Sequence, residues 1–231
     1  MREFLLDAQH IVFDWNGTLI DDVDLAVRAV NRCCDLYGLD AISRDEYRSK
    51  FRFPIRDFYR DLGFQVDSRS FDDVIKNYLS VFDRDVFQCA LHNGTVALLE
   101  KLLDEGKTLS ILSASHQSIL TETVDAKGLA RHFTYVVGLS DNHAHGKLEI
   151  ARELQDRSGI AAHRTLYIGD TNHDAEVATS MGWSFLMVRS GHQARNGEGN
   201  EAVDSLREIL VHLQESEHSS AAGQRIREPA Q

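Results

Sequence analysis

Four short stretches of the chain carry side chains suited to chemistry. Asp14-Trp15-Asn16-Gly17-Thr18 follows the apolar run Ile11-Val12-Phe13. Ser113-Ala114-Ser115 follows a second run, Leu109 to Leu112. Gly146-Lys147 lies in the loop after a third, Tyr135 to Val137, and Gly169-Asp170-Thr171-Asn172-His173-Asp174 ends a fourth, Leu166 to Ile168. Together they offer three carboxylates, one ammonium, several hydroxyls and several amides freed by glycine. Carboxylates gathered with a lysine suit a hard cation beside a phosphate. Mg2+ takes oxygen ligands in octahedral geometry and is typically shared with substrate phosphate.

These stretches can act together only if the fold brings them to one place. In open α/β sheets ligands sit outside the carboxyl ends of the strands, where each of these stretches would lie. The apolar runs, with a fifth at Phe185 to Val188, are too short for helices and are bounded by Gly, Ser, Thr or Asp. Helical periodicity separates them: Val96, Leu99, Leu102 and Leu103 share one face, and Leu148, Ala151, Leu154 and Gln155 another. Strands alternating with helices predict a doubly wound parallel sheet covered on both faces.

Between the first and second strands the pattern changes. From about Asp21 to Asp85 there is only helical periodicity, with Val23, Ala26, Val27, Val30, Cys34 and Tyr37 on one face and Phe71, Val74, Ile75, Tyr78, Leu79 and Phe82 on another. Pro54 breaks the segment and opens a helix at Ile55. An all-helical insertion here would make a lid. The expected organisation is a core of residues 1–20 and 86–215, a helical cap of 21–85, and a mobile tail of 216–231, which has few apolar residues. Gly191 to Asn200 reads as a surface loop, followed by a last helix carrying Val203, Leu206, Ile209, Leu210 and Leu213.

Composition narrows the partners. Thirty-six acidic residues against 25 basic ones give a formal net charge of −11, which repels nucleic acid and anionic membranes. A small phosphorylated metabolite remains a suitable ligand for a local basic site. Cys33, Cys34 and Cys89 form neither a disulfide framework nor a zinc site, and a reducing cytoplasm is the simple expectation. The first ten residues do not read as a signal peptide, and no run of about 18 apolar residues would span a membrane. The chain is expected to be a monomer or homodimer.

The four stretches resemble, in order, the motifs of haloacid dehalogenase superfamily hydrolases, most closely the phosphoglycolate-phosphatase-like branch with a helical cap. The resemblance covers about Gln9 to Leu213 and includes the helical insertion in the matching gap. It implies that Asp14 is the nucleophile, forming an aspartyl-phosphate, and a Mg2+ ligand together with the Asn16 backbone carbonyl and Asp170. Asp174 would orient Asp170 or its bound water. Ser113 and Lys147 would hold the phosphoryl oxygens, where Lys147 meets charge gathering in the transition state. Gly17 would allow the sharp turn. The Ala114 amide and the Thr18 region would contact substrate. In the cap, Phe51-Arg52-Phe53-Pro54-Ile55-Arg56 is the most informative segment. Arg52 and Arg56 could read an anionic or sugar-like substrate and the aromatics could dry it, or the segment is an ordinary helical junction with surface arginines.

One position departs from the pattern. The family's second motif-one Asp, which protonates the leaving alcohol and then activates water, is Asn16 here. A positioned acid–base is worth about 10²–10⁴-fold, or roughly 3–5 kcal/mol of barrier. Three readings follow: a leaving group acidic enough to depart unaided, a substitute such as His173, His143 or His145, or a protein that binds a phosphorylated ligand and barely turns it over. A phosphonatase-type role with Lys50 as the cap lysine is a weaker alternative, and Asn16 argues against a dehalogenase. Asn16-Gly17 is also a deamidation-prone pair, so slow conversion to aspartate would give a minor active form. His116, close after Ser113, could touch ligand, or its loop could cap the helix after the second strand, with Ser115 as the N-cap candidate.

Overall fold

In a computed structural model, residues 2–140, 146–194 and 201–225 are described. The chain begins with α1 (Arg2–Asp7) and β1 (His10–Phe13), then the two-residue β2 (Ile20–Asp21). The cap follows as α2 (Val23–Tyr37), α3 (Arg44–Lys50), α4 (Ile55–Asp61) and α5 (Ser68–Asp85). The chain returns through β3 (Ala90–Leu91) to α6 (Thr95–Asp104), β4 (Thr108–His116), α7 (Gln117–Ala126), β5 (Tyr135–Leu139) and α8 (Lys147–Ser158). It ends with β6 (Thr165–Gly169), α9 (Asn172–Met181), β7 (Ser184–Val188), β8 (Ala202–Val203) and α10 (Leu206–Arg225).

Six strands form one parallel sheet in the order β5-β4-β1-β6-β7-β8. This is the expected doubly wound α/β core. β1 is its topological switch point, because the chain adds β4 on one side and β6 on the other, with Phe13 in register with Ile111 and Ile168. A crevice opens at such a point, and it lies where β1, β4 and β6 end. Ile11, Val12 and Phe13 are fully buried. Ile11 and Phe13 face the larger apolar layer, which continues into the cap, while Val12 faces a second layer with Leu112, Tyr167 and Trp183. Burial on both faces explains why β1 is a continuous apolar run rather than an alternating one.

Several local expectations need correction. The insertion is flanked by a short antiparallel pair, Ile20 with Leu91 and Asp21 with Ala90, where none was read. Two-residue strands have no periodicity to detect. On α6 the buried stripe is Thr95, Leu98, Leu99 and Leu102, whereas Val96 and Leu103 are exposed. On α2 burial extends to Leu25, Ala29 and Cys33, and Tyr37 is exposed, because the helix is buried on more than one stripe. The Ser43 capping box starts α3, and Pro54 precedes α4 as expected. The helix α7 is capped by His116, whose side chain accepts from the Ser118 amide, rather than by Ser115. Val203 belongs to the edge strand β8, not to the last helix, and α10 continues past position 215 to Arg225. Residues 226–231 of the expected tail lie outside the described residues. Cys33, Cys34 and Cys89 are free thiols. Among the described residues no helix is long and apolar enough to cross a membrane.

Candidate active site

The ends of β1 and β6 and the start of α8 bring the expected charges together. The Asp14 amide donates to the Ile168 carbonyl at 2.9 Å, which continues the ladder one residue beyond β1 and points the side chain into the crevice. Lys147, at the first turn of α8, is 3% exposed and bridges Asp14 Oδ1 at 2.7 Å and Asp174 Oδ1 at 2.6 Å. Asp174 is fixed by the start of α9. Its other oxygen accepts from the Thr171 amide at 3.0 Å and the Thr171 hydroxyl at 2.7 Å, a reciprocal capping box, and Tyr167 donates to Oδ1 at 2.9 Å. Asp170 accepts from the Thr18 hydroxyl at 3.1 Å and the His192 amide at 2.6 Å.

Asp14, Asp170 and Asp174 are all buried, and one carboxylate oxygen from each lies within 4.8 Å of the others. Burial pushes the Asp14 carboxyl well up, with Asp174 and Asp170 adding to this against the pull of Lys147. Burial likewise raises Asp170 to about 6, with His192 opposing and Asp174 adding. Burial alone would lower Lys147, but Asp14 and Asp174 reverse this and raise it. Asp174 is held below its ordinary range because Lys147 outweighs burial. The charge is therefore under-compensated at one point: three carboxylates face one ammonium. All the donors are hard oxygens, as Mg2+ requires, and the backbone around Asp170 is shaped closely. A Cβ at Gly17, where φ is +75°, would lie 2.5 Å from Asp170 Oδ2, and one at Gly191 would lie 2.1 Å from it. These residues fit a divalent cation.

Asn16 is tightly held. Its Nδ2 donates to Asp22 Oδ2 at 2.7 Å, and its Oδ1 accepts from the Ser115 hydroxyl at 2.6 Å. Ser113 stands 3.5 Å from the same Oδ1 and accepts from the Ser115 amide at 3.1 Å. The Gly17 amide, which would have to attack the Asn16 side chain for deamidation, donates to Asp22 Oδ1 at 2.7 Å. Both partners of that reaction are tied to one carboxylate, so the folded chain opposes it.

Asp22 and His192 escaped the sequence reading. Asp22 is fully buried and also accepts from His192 Nε2 at 3.2 Å, while His192 Nδ1 lies 2.9 Å from the Tyr47 hydroxyl of the cap. Burial would lower the His192 pKa, but the carboxylates around it, Asp22 first and then Asp170 and Asp14, together outweigh it and raise the ring to about 9. The expected surface loop is thus buried at its start. Residues 189–193 clasp the cap: Arg48 donates to the Arg189 and Gly191 carbonyls, and Gln193 to the Phe51 carbonyl. Residues 195–200 of that loop lie outside the described residues. The only signals in the sequence were an acid just past a turn and a histidine beside a glycine. Replacing Asp22 with Ala leaves the Asn16 side-chain amide without its acceptor, leaves the Gly17 amide only the Ile20 carbonyl, and strips the buried His192 ring of its counter-charge. A loss of about 3–5 kcal/mol is expected, measured by denaturant unfolding.

Other expected contacts are redirected. Thr18 is fully buried and supports Asp170 instead of lining the cavity. Arg52 pairs with Asp61 at 2.8 Å, and Arg56 donates to the Val66 carbonyl while lying over the Phe71 ring. Neither arginine lines the cavity, because both are spent on joining α4 to its neighbours. Lys50 is exposed and lies outside the cavity as well, so the phosphonatase-type alternative loses its lysine. Ala114 and Ser113 do line it. The His173 ring stacks on Phe53 at 4.5 Å, and burial lowers its pKa. His143 and His145 lie outside the described residues.

The chain matches proteins already known. A profile described as haloacid dehalogenase-like hydrolase matches residues 11–188. A 5'-nucleotidase of Pseudomonas aeruginosa is 29% identical over 198 residues, covering 83% of this chain and 87% of the relative. A phosphoglycolate phosphatase of Rhodobacter capsulatus is 24% identical over 190 residues, covering 80% and 86%. A haloacid dehalogenase-like family protein of Streptococcus pneumoniae has the same fold, with a TM-score of 0.76 and 19% identity over 90% of this chain and 99% of that one.

Proposed function

Because the chain belongs to the haloacid dehalogenase-like hydrolase family, we propose that it is a Mg2+-dependent phosphatase that hydrolyses a small phosphorylated metabolite through an aspartyl-phosphate at Asp14. The observation that carries this reading is the cluster of Asp14, Asp170 and Asp174 with Lys147 bound to two of them. The phosphatases among the relatives support the reaction class. With its three thiols free, the chain suits a cytoplasmic setting, as a monomer or homodimer.

In this reading Asp14, the Asn16 backbone carbonyl and Asp170 hold Mg2+, with Asp174 orienting them. The ion supplies positive charge to the phosphoryl oxygens and the nucleophile. The chain's own residues do the rest. An Asp14 oxygen bonds to phosphorus as the ester oxygen departs with its electron pair. Lys147 and Ser113 and the amide of Ala114 hold the equatorial oxygens as their charge grows. Water then displaces the Asp14 carboxylate and inorganic phosphate leaves. A positively charged His192 beside Asp22 and Asp170 lines the cavity and holds the loop after β7 against the site.

Cation binding gives a direct test. Mg2+ should raise the melting temperature, because it binds the folded chain alone, and by about 2.7 kcal/mol of stability at a hundredfold excess over Kd. Asp170→Ala should lose most of that increment and can be more stable than the parent without metal, since it relieves carboxylate repulsion. An equal increment in both proteins would remove Asp170 from the ligand set.

Asn16 favours a second reading, that of a nearly inactive protein binding a phosphorylated ligand. Phosphate release over a substrate panel separates the two. A turnover rate that disappears with Asp14→Asn supports the enzyme; ligand binding with no turnover supports the binder.

A further inference from the structure

Away from the carboxylates the cavity changes character. It encloses about 190 Å³, and its cap side is made by Phe51, Phe53, Phe58, Tyr78, Leu79 and Phe82. An apolar cavity of about 150 Å³ is enough for one benzene ring. The wall already consists of rings in edge-to-face and stacked pairs, such as Phe51 with Phe58 at 5.5 Å and Tyr78 with Phe82 at 5.3 Å. A further ring extends that packing. Among the described residues the lining contains one lysine, Lys147, already engaged by Asp14 and Asp174, and no arginine. The one charged side chain that the cap helices add is Asp83, a carboxylate. The two histidines in the lining are committed elsewhere, His192 between Asp22 and Tyr47 and His116 Nδ1 on Ser118, so a second anionic group on the substrate would shed its water against the cap wall with no uncommitted cation to receive it.

Asn16 points the same way by a separate route. With no acid at that position, the ester oxygen must depart as an anion. A phenol such as that of Tyr titrates at about 10, whereas water, a guide to simple alcohols, gives up its proton only at far higher pH. A ring oxygen can leave without a proton where an alkyl oxygen cannot.

We propose that the substrate is an aryl phosphomonoester, a phosphate esterified directly to one aromatic ring that carries no second anionic group, with the ring held by the aromatic cap wall. The substrate class rests on the phosphatase reading above. The Asp14 carboxylate bonds to phosphorus and the bond from phosphorus to the ring oxygen breaks. Its electron pair leaves on the phenolate, which takes a proton from solvent. Water then bonds to phosphorus, releasing the Asp14 carboxylate, inorganic phosphate and a proton.

The test separates binding from turnover. Phenyl phosphate, phosphoglycolate, glycerol phosphate and inorganic phosphate are titrated calorimetrically into full-length Asp14→Asn with Mg2+, and phosphate release from the three esters is measured with the parent protein. Phenyl phosphate should bind at least about tenfold more tightly than phosphoglycolate or inorganic phosphate, a difference of about 1.4 kcal/mol. Leu79→Arg in the same background places a cation in the wall and should reverse that order, with folding checked by circular dichroism. If that variant does not fold, the comparison of ligands stands alone. Equal affinities, preference for phosphoglycolate or no binding of phenyl phosphate overturns the aryl proposal, while phosphate release from any ester keeps the hydrolase reading. Selective binding of phenyl phosphate without release from any ester would overturn the hydrolase reading and leave the ligand class in place.

Discussion

Asp14→Asn should abolish phosphate release, lowering kcat by about 10⁴-fold or more, while leaving the fold intact. Asn is nearly isosteric with Asp but is a far weaker nucleophile, and no other carboxylate occupies its place at the end of β1. Asp170 is tied to Thr18 and the His192 amide, and Asp174 is tied to Thr171, Tyr167 and Lys147. Both are held by bonds from the chain itself. Asp14 accepts from Lys147 and is otherwise available. The substitution also relieves crowding, since burial and two neighbouring carboxylates press on the Asp14 charge. Stability without metal should therefore hold or rise. Turnover by purified Asp14→Asn at a rate near the parent's, with contaminating phosphatase excluded, would rule out the aspartyl-phosphate mechanism.

The parts of this molecule legible in the sequence are those governed by short-range rules. The five apolar runs are strands because they are too short to bury a helix face, and the four polar stretches meet because strand ends meet at the switch point. Asp14 and Asp170 follow from that topology, whereas Lys147 at the start of α8 and Asp174 in the first turn of α9 join them through the family resemblance as well. What stayed hidden depends on which side chains happen to find each other across the fold. Arg52 and Arg56 have the charge to read an anion, but Asp61 and the Val66 carbonyl capture them, and local sequence does not reveal that choice. Thr18 looked like a substrate contact and is a support for Asp170. Asp22, His192 and Tyr47 come from three separate segments, and nothing periodic links them. Their contact joins the motif-one turn, the loop after β7 and the cap, so the placement of Asn16 depends on residues far away in sequence.

That placement makes the leaving-group dependence the sharpest test of the missing acid. Asn16 is held with Nδ2 on Asp22 and Oδ1 toward Ser115, and can neither give nor take a proton. Esters of acidic phenols should react readily, whereas simple alkyl phosphates should meet the full cost of roughly 3–5 kcal/mol. Dephosphorylation of Asp14 should also slow, because the attacking water has no base. Activated esters should then release a burst of phenol equal to the enzyme, followed by a slow steady state, as an accumulating covalent intermediate requires. The restoring variant has to respect Asp22. Asn16→Asp alone sets two carboxylates at hydrogen-bond distance, a pair that resists double ionisation. Combining Asn16→Asp with Asp22→Asn exchanges donor and acceptor, and the new amide oxygen at position 22 can still accept from the Gly17 amide and from His192. The exchanged pair should flatten the dependence and remove the burst. The measurement is a pre-steady-state series over esters of graded leaving-group pKa, with mass verification of the residue at position 16. A flat series without a burst in the parent would mean that another group supplies the proton. His173 would then be the first of the described histidines to replace, since its ring stands against Phe53 on the cap side of the site.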